Sequence, residues 1–161
     1  MGDGTELSLR HAQARPTLEQ LQQMQVWVQY LPPPRDSEVY LNEVAIVIFA
    51  RLMRQAQTDL TSRLGREPSG DEWRQAVMAL PQNEHVISTL KIVNDVLTRA
   101  GHGIFERISP VYGQTPETDG RVIAYKYRQV MAPEQARTAV EAYRRQYFPQ
   151  SFRQQASLFD M

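Results

Sequence analysis

The hydrophobic repeat of this chain changes period twice, and those changes bound the fold. Up to Gly101-His102-Gly103 the apolar residues recur every three or four positions. Beyond it Ile104–Ile108 and Val122–Tyr127 read as strands, and helical spacing returns from Pro133. A period near 3.6 buries one stripe of a helix, whereas a period of two buries one face of a strand. The chain is therefore expected to be mainly α (α+β), with a run of helices, one β-hairpin and a closing helix. The 161 residues, 42% of them apolar, suffice for a single domain with a real core.

Local signals place the elements. Leu18, Leu21, Met24, Val28 and Leu31 keep helical spacing after Pro16-Thr17, and Pro32-Pro33-Pro34 ends that helix in a stiff, extended linker. Asp36-Ser37-Glu38 offers a cap for a helix over Val39–Leu64. Its middle, Ala45 to Phe49, is apolar nearly all round, which predicts the central core element, and Gly65 stops it. Ser69 and Glu72 have capping-box spacing for a short helix over Gly70–Leu80. Pro81-Gln82-Asn83 precedes an amphipathic helix over Glu84–Ala100. Ser109–Arg121 carries Pro110, Gly113, Pro116 and Asp119-Gly120, which predicts a loop closing a hairpin. Pro133–Tyr147 reads as the last helix. The expected organisation is a disordered tail over 1–15, one domain over 16–148 and a peptide tail over 149–161.

Composition removes whole classes of function. There is no cysteine, so disulfides, iron–sulfur clusters and thiol nucleophiles are excluded. Eighteen Lys+Arg balance eighteen Asp+Glu, which is unlike a strongly basic nucleic-acid binder. The longest apolar run, Val44–Ala50, is far short of the ~20 residues that span a bilayer. A cytoplasmic protein is expected. His11, His85 and His102 lack metal-ligand spacing, and no phosphate-binding glycine loop or nucleophile elbow occurs. The sequence asks for no metal, no cofactor and no enzymatic activity.

A helix–turn–helix followed by a hairpin resembles a winged helix, and residues 36–128 follow that order. The resemblance implies a recognition helix over Glu84–Ala100 with Ser88, Thr89, Lys91, Asn94, Asp95 and Arg99 on its polar face. It also implies a wing bearing Arg107, Arg121, Lys126 and Arg128. Duplex DNA would then meet Lys91, Arg99, Arg107, Arg121, Lys126 and Arg128. Residues 84–128 hold six basic and five acidic side chains, a thin footprint for phosphate. Winged helices also dock proteins.

The sharpest signal lies near the end of the chain. Gln155-Ala156-Ser157-Leu158-Phe159 resembles the pentapeptide with which bacterial proteins bind the DNA sliding clamp, commonly Gln-Leu-(Ser/Asp)-Leu-Phe. Gln155, Ser157, Leu158 and Phe159 match and Ala156 replaces a leucine. The resemblance implies that Gln155 hydrogen-bonds at a pocket rim while Leu158 and Phe159 fill an apolar groove. It points to a non-enzymatic adaptor in DNA replication, repair or mobile-element maintenance. Two other readings stand beside it. One is a winged-helix transcriptional regulator. The other is a protein-interaction module without DNA binding, dimerising through Pro16–Leu31 or Val39–Leu64. Leu158-Phe159 folded back onto the domain's own core is the competing structural reading of the tail.

Overall fold

The computed structural model describes residues 14–153. Five helices and a two-stranded antiparallel hairpin follow the expected order: α1 (Leu18–Trp27), α2 (Leu41–Leu64), α3 (Gly70–Met78), α4 (Asn83–Arg99), β1 (Phe105–Tyr112), β2 (Val122–Gln129) and α5 (Pro133–Tyr147).

Caps explain where the helices begin. The Thr17 hydroxyl accepts from the Gln20 amide at 3.1 Å, and the Gln20 side chain accepts from the Thr17 amide at 2.8 Å. Two of the four orphan amides of α1 are thereby satisfied. The helix tightens into a 3₁₀ turn over Val28–Tyr30 before the prolines. Asp36-Ser37-Glu38 does not cap α2. The helix starts two residues later than expected, at Leu41, with the Glu43 carboxylate 3.5 Å from the Tyr40 amide. The delay has a cause. Val39 exchanges two backbone hydrogen bonds with Tyr127, at 2.7 and 2.8 Å, and so serves as a one-residue third strand on β2. Glu38 is used elsewhere, accepting from the Ser109 hydroxyl at 2.6 Å.

The Ser69–Glu72 capping box forms as its spacing predicts, with bonds of 3.2 and 2.9 Å. Arg66 adds a bidentate pair to the Glu72 carboxylate at 2.8 and 2.9 Å. These donors, Arg66 foremost, lower the Glu72 pKa to about 2. A depressed folded-state value means that this contribution is complete above the ordinary carboxylate range and is lost as pH falls toward 2. Acidification from pH 5 to pH 2 is expected to fray α3 before the rest of the helices. Trp73, one residue beyond Glu72, reports this by fluorescence, and Glu72→Gln should remove the pH dependence.

The central helix is α4, not α2. Val86, Leu90, Val93, Val96 and Leu97 are buried on it, and α1, α2 and α5 all pack against it. On α2 the first half buries Leu41, Val44, Ala45 and Ile48, but Ile46 is 58% exposed, and in the second half only Leu60 is buried. At 24 residues α2 is roughly 36 Å long. Its second half lies alongside α3, a helix with no buried residue of its own. An apolar middle was thus not a guide to the centre of the core.

Gly101, at φ +108°, closes α4 as the next amide, His102, bonds back to the Leu97 carbonyl at 3.0 Å. The following strand runs past Ile108 through Pro110 to Tyr112, so Ser109–Tyr112 is strand where a loop was expected. Among the described residues β1 pairs on one side only, and a proline is tolerated on such an edge. Register shifts at Arg107/Ser109 and Val111/Tyr112 bend it. Gly120 takes φ +74° in the Asp119-Gly120 turn that leads into β2.

The packed unit is slightly longer than 16–148. Arg99 donates to the Ala14 carbonyl at 2.8 Å, and Arg15 lies over the Tyr147 ring. Residues 150–153 are helical; Ser151 is buried and bonds the Phe148 carbonyl at 2.7 Å. Among the described residues no helix is long and apolar enough to cross a membrane, and no group of His, Cys, Asp or Glu could hold a metal ion.

Candidate functional site

The four clamp-peptide residues, Gln155, Ser157, Leu158 and Phe159, lie outside the described residues. The six expected phosphate contacts lie within them, and most are already occupied. Arg128 pairs with Glu106 across the hairpin at 3.0 Å. The Arg107 guanidinium stacks on Tyr125, 4.0 Å from the ring centre. Lys126 sits over Tyr40 at 5.6 Å. Arg99 is tied to Ala14. Lys91 on α4 and Arg121 at the start of β2 are exposed.

The register explains the division. Glu106 faces Arg128 and Ser109 faces Lys126 in the ladder, so these share one side with Glu38. Arg107 faces Tyr127, which is buried, and belongs to the other. The hairpin therefore splits its cations between two faces, and Glu106 neutralises Arg128 on one of them. Arg99 and Arg107 nevertheless line a common cleft of about 300 Å³ with Asp95, Thr98 and Tyr127, where α4 meets the hairpin.

The proposed recognition face of α4 is narrower than its sequence pattern implies. Thr89 and Asn94 are buried, not solvent-facing. The Asn94 side chain donates to the Phe105 carbonyl at 3.1 Å and accepts from the Phe105 amide at 2.9 Å. It thus stands in for a neighbouring strand and clips the start of β1 onto α4. Ser88, Lys91 and Arg99 stay exposed. His85 is exposed in the first turn of α4. Its Nε2 lies 2.9 Å from Gln23 Oε1 and its ring meets Trp27 edge-on.

A second group of cations gathers where α4 and α5 end. Arg15 lies 4.8 Å from the centre of Tyr147, which in turn packs on Tyr143 at 4.4 Å. Phe152 has the guanidinium carbons of Arg144 and Arg145 each 4.1 Å from its ring centre. Arg144 is only 7% exposed and donates to Gln25 at 2.8 Å, while its Nε has no partner among the described residues. Sequence reading passed over these residues. The usable signal was the spacing Tyr143, Tyr147 beside Arg144-Arg145 in one helical turn; the contributions of Arg15 and Phe152 come from distant chain.

Against known protein families, curated proteins and solved structures, the chain gives no match.

Proposed function

We propose that the protein is a non-enzymatic cytoplasmic adaptor that binds the bacterial DNA sliding clamp through residues 155–159 and presents a winged-helix-like domain beside it. The observation that carries this reading is the pentapeptide itself, Gln155-Ala156-Ser157-Leu158-Phe159. It follows closely on Ser151 and Phe152, where the domain grips its own chain. The fold offers support for the winged plan. α3 and α4 are consecutive helices joined by a short turn, a hairpin follows, and Val39 adds a third short strand at its base.

A short peptide that orders on binding gives modest affinity. The full chain is expected to bind purified clamp with a micromolar Kd, about −8 kcal/mol, and a chain ending at Arg153 is expected not to bind. Equal binding by both would end this reading.

A second reading, a protein-interaction module without duplex binding, is favoured by the hairpin itself, where Glu106 pairs with Arg128 and the other cations are divided between two faces. A homodimer belongs to this reading, with the α2–α3 arm as its contact: Met78 is 78% exposed there and Trp73 and Val77 are half-buried.

A further inference from the structure

The ends of α4 and α5 bring together Arg15, Arg99, Arg144 and Arg145 around Tyr143, Tyr147 and Phe152. Three properties separate this cluster from ordinary surface charge. First, it is short of acids. Among the described residues Glu141 is the one carboxylate paired there, and it is shared between Arg145 at 3.3 Å and Arg137 at 3.6 Å. Arg15, Arg99 and Arg144 have no ion-pair partner among the described residues. Second, the guanidiniums are held in place. Stacking on a ring, or a bond to a carbonyl, fixes the plane while leaving N–H edges free, so little side-chain entropy remains to be lost on binding an anion. Third, Arg144 is a buried cation with an unpartnered Nε, an arrangement that a nearby negative charge relieves. The helix C-termini supply part of that relief through their dipoles. The charges also act jointly. Arg15 and Arg99 both favour the ionised form of the Tyr143 hydroxyl, although burial outweighs them and raises its pKa.

We propose that this arginine–aromatic cluster is a binding site for the phosphodiester backbone of nucleic acid, separate from the wing and from residues 155–159. Guanidinium edges match phosphate oxygens, and repeated phosphates match the exposed guanidiniums of Arg15, Arg99 and Arg145, with buried Arg144 adding charge behind them. Phe152 is already stacked by Arg144 and Arg145, so contact is with the backbone and base sequence is not read. The site does not depend on clamp binding.

The test is fluorescence anisotropy of the full chain with two labelled probes, a 20-nucleotide oligodeoxythymidine and a 20-base-pair duplex, at 50 and 200 mM salt. The expected result is saturable binding of at least one probe at 50 mM salt. The exposed pair Arg15→Gln/Arg99→Gln should weaken it at least tenfold and reduce the salt slope by about 1.4 for single strand or about 1.8 for duplex. Arg15→Lys/Arg99→Lys should recover part of the loss, and circular dichroism should show all variants folded. Lys126→Glu/Arg128→Glu should leave binding within twofold. Which probe binds tells single strand from duplex. Absence of binding to both probes overturns the proposal. So does loss with the wing variant alone, or equal displacement by polyglutamate of matched charge, which would mark a general acidic-partner surface.

Discussion

Changing Leu158 and Phe159 together to alanine is expected to weaken clamp binding at least 100-fold, about 2.8 kcal/mol at 1.4 kcal/mol per decade. Each of the two side chains carries about 1.5–3 kcal/mol of burial free energy when it leaves water for a groove. The same change should leave thermal unfolding where it is, because on this reading both side chains are held for a partner's groove and not for the core, which among the described residues runs from Leu21 to Tyr143. Surface plasmon resonance on immobilised clamp and calorimetric melting of the free protein measure the two halves of this expectation. A fall in melting temperature of about 4 °C or more, roughly 1 kcal/mol or more at this chain length, would place the pair in the protein's own interior. The adaptor reading would then have no basis. Retained clamp binding would be equally damaging, since the peptide's anchors would be elsewhere.

The second large effect concerns stability. Asn94→Leu keeps the branched side-chain skeleton, with methyl groups bulkier than the amide, and strips the Phe105 amide and carbonyl of their side-chain partner inside the protein. Each buried group left without a partner costs about 1–3 kcal/mol, so a loss of roughly 2–4 kcal/mol is expected, or roughly 6–15 °C in melting temperature. Thr89, five residues earlier on α4, provides the contrast. Its hydroxyl is buried and has no partner among the described residues. Thr89→Val removes an unpaired polar atom at nearly constant shape and should be neutral or stabilising by up to about 1 kcal/mol. Urea titration of both variants decides the matter. Equal effects of the two would mean that the Asn94 bonds contribute nothing.

Those two residues also show where sequence reading succeeds and where it stops. Local chemistry was legible. The Ser69–Glu72 box, the Asp119-Gly120 turn and the span Pro133–Tyr147 all depend on neighbours within a few positions, and all formed as expected. Thr89 and Asn94 were read as a polar face because both are polar, yet burial is decided by which elements arrive from elsewhere. Likewise the apolar middle of α2 marked a core helix correctly but not a central one, since length carried half of it away from the body. Pro110 argued for a loop because the sequence does not reveal which strand lies at an edge. The wing arginines were visible, but their engagement was not. Arg128 meets Glu106 only in a particular register, and Arg107 meets Tyr125 only across the hairpin. The Arg144–Phe152 and Arg15–Tyr147 contacts depend on segments from outside the helix.

The single-residue strand at Val39 has a consequence for assembly. It borders β2 on the side opposite β1, and its partner Tyr127 is separated from it by all of α2, α3 and α4. The hairpin itself can close locally and early. Its far border stays open until three helices have collapsed and delivered the linker to it, and bringing such distant chain together is the slow step in folding. During that interval β2 offers unpaired amides and carbonyls to any passing chain. The triple proline just upstream stiffens the approach of Val39 and so shortens the search that shuts this window.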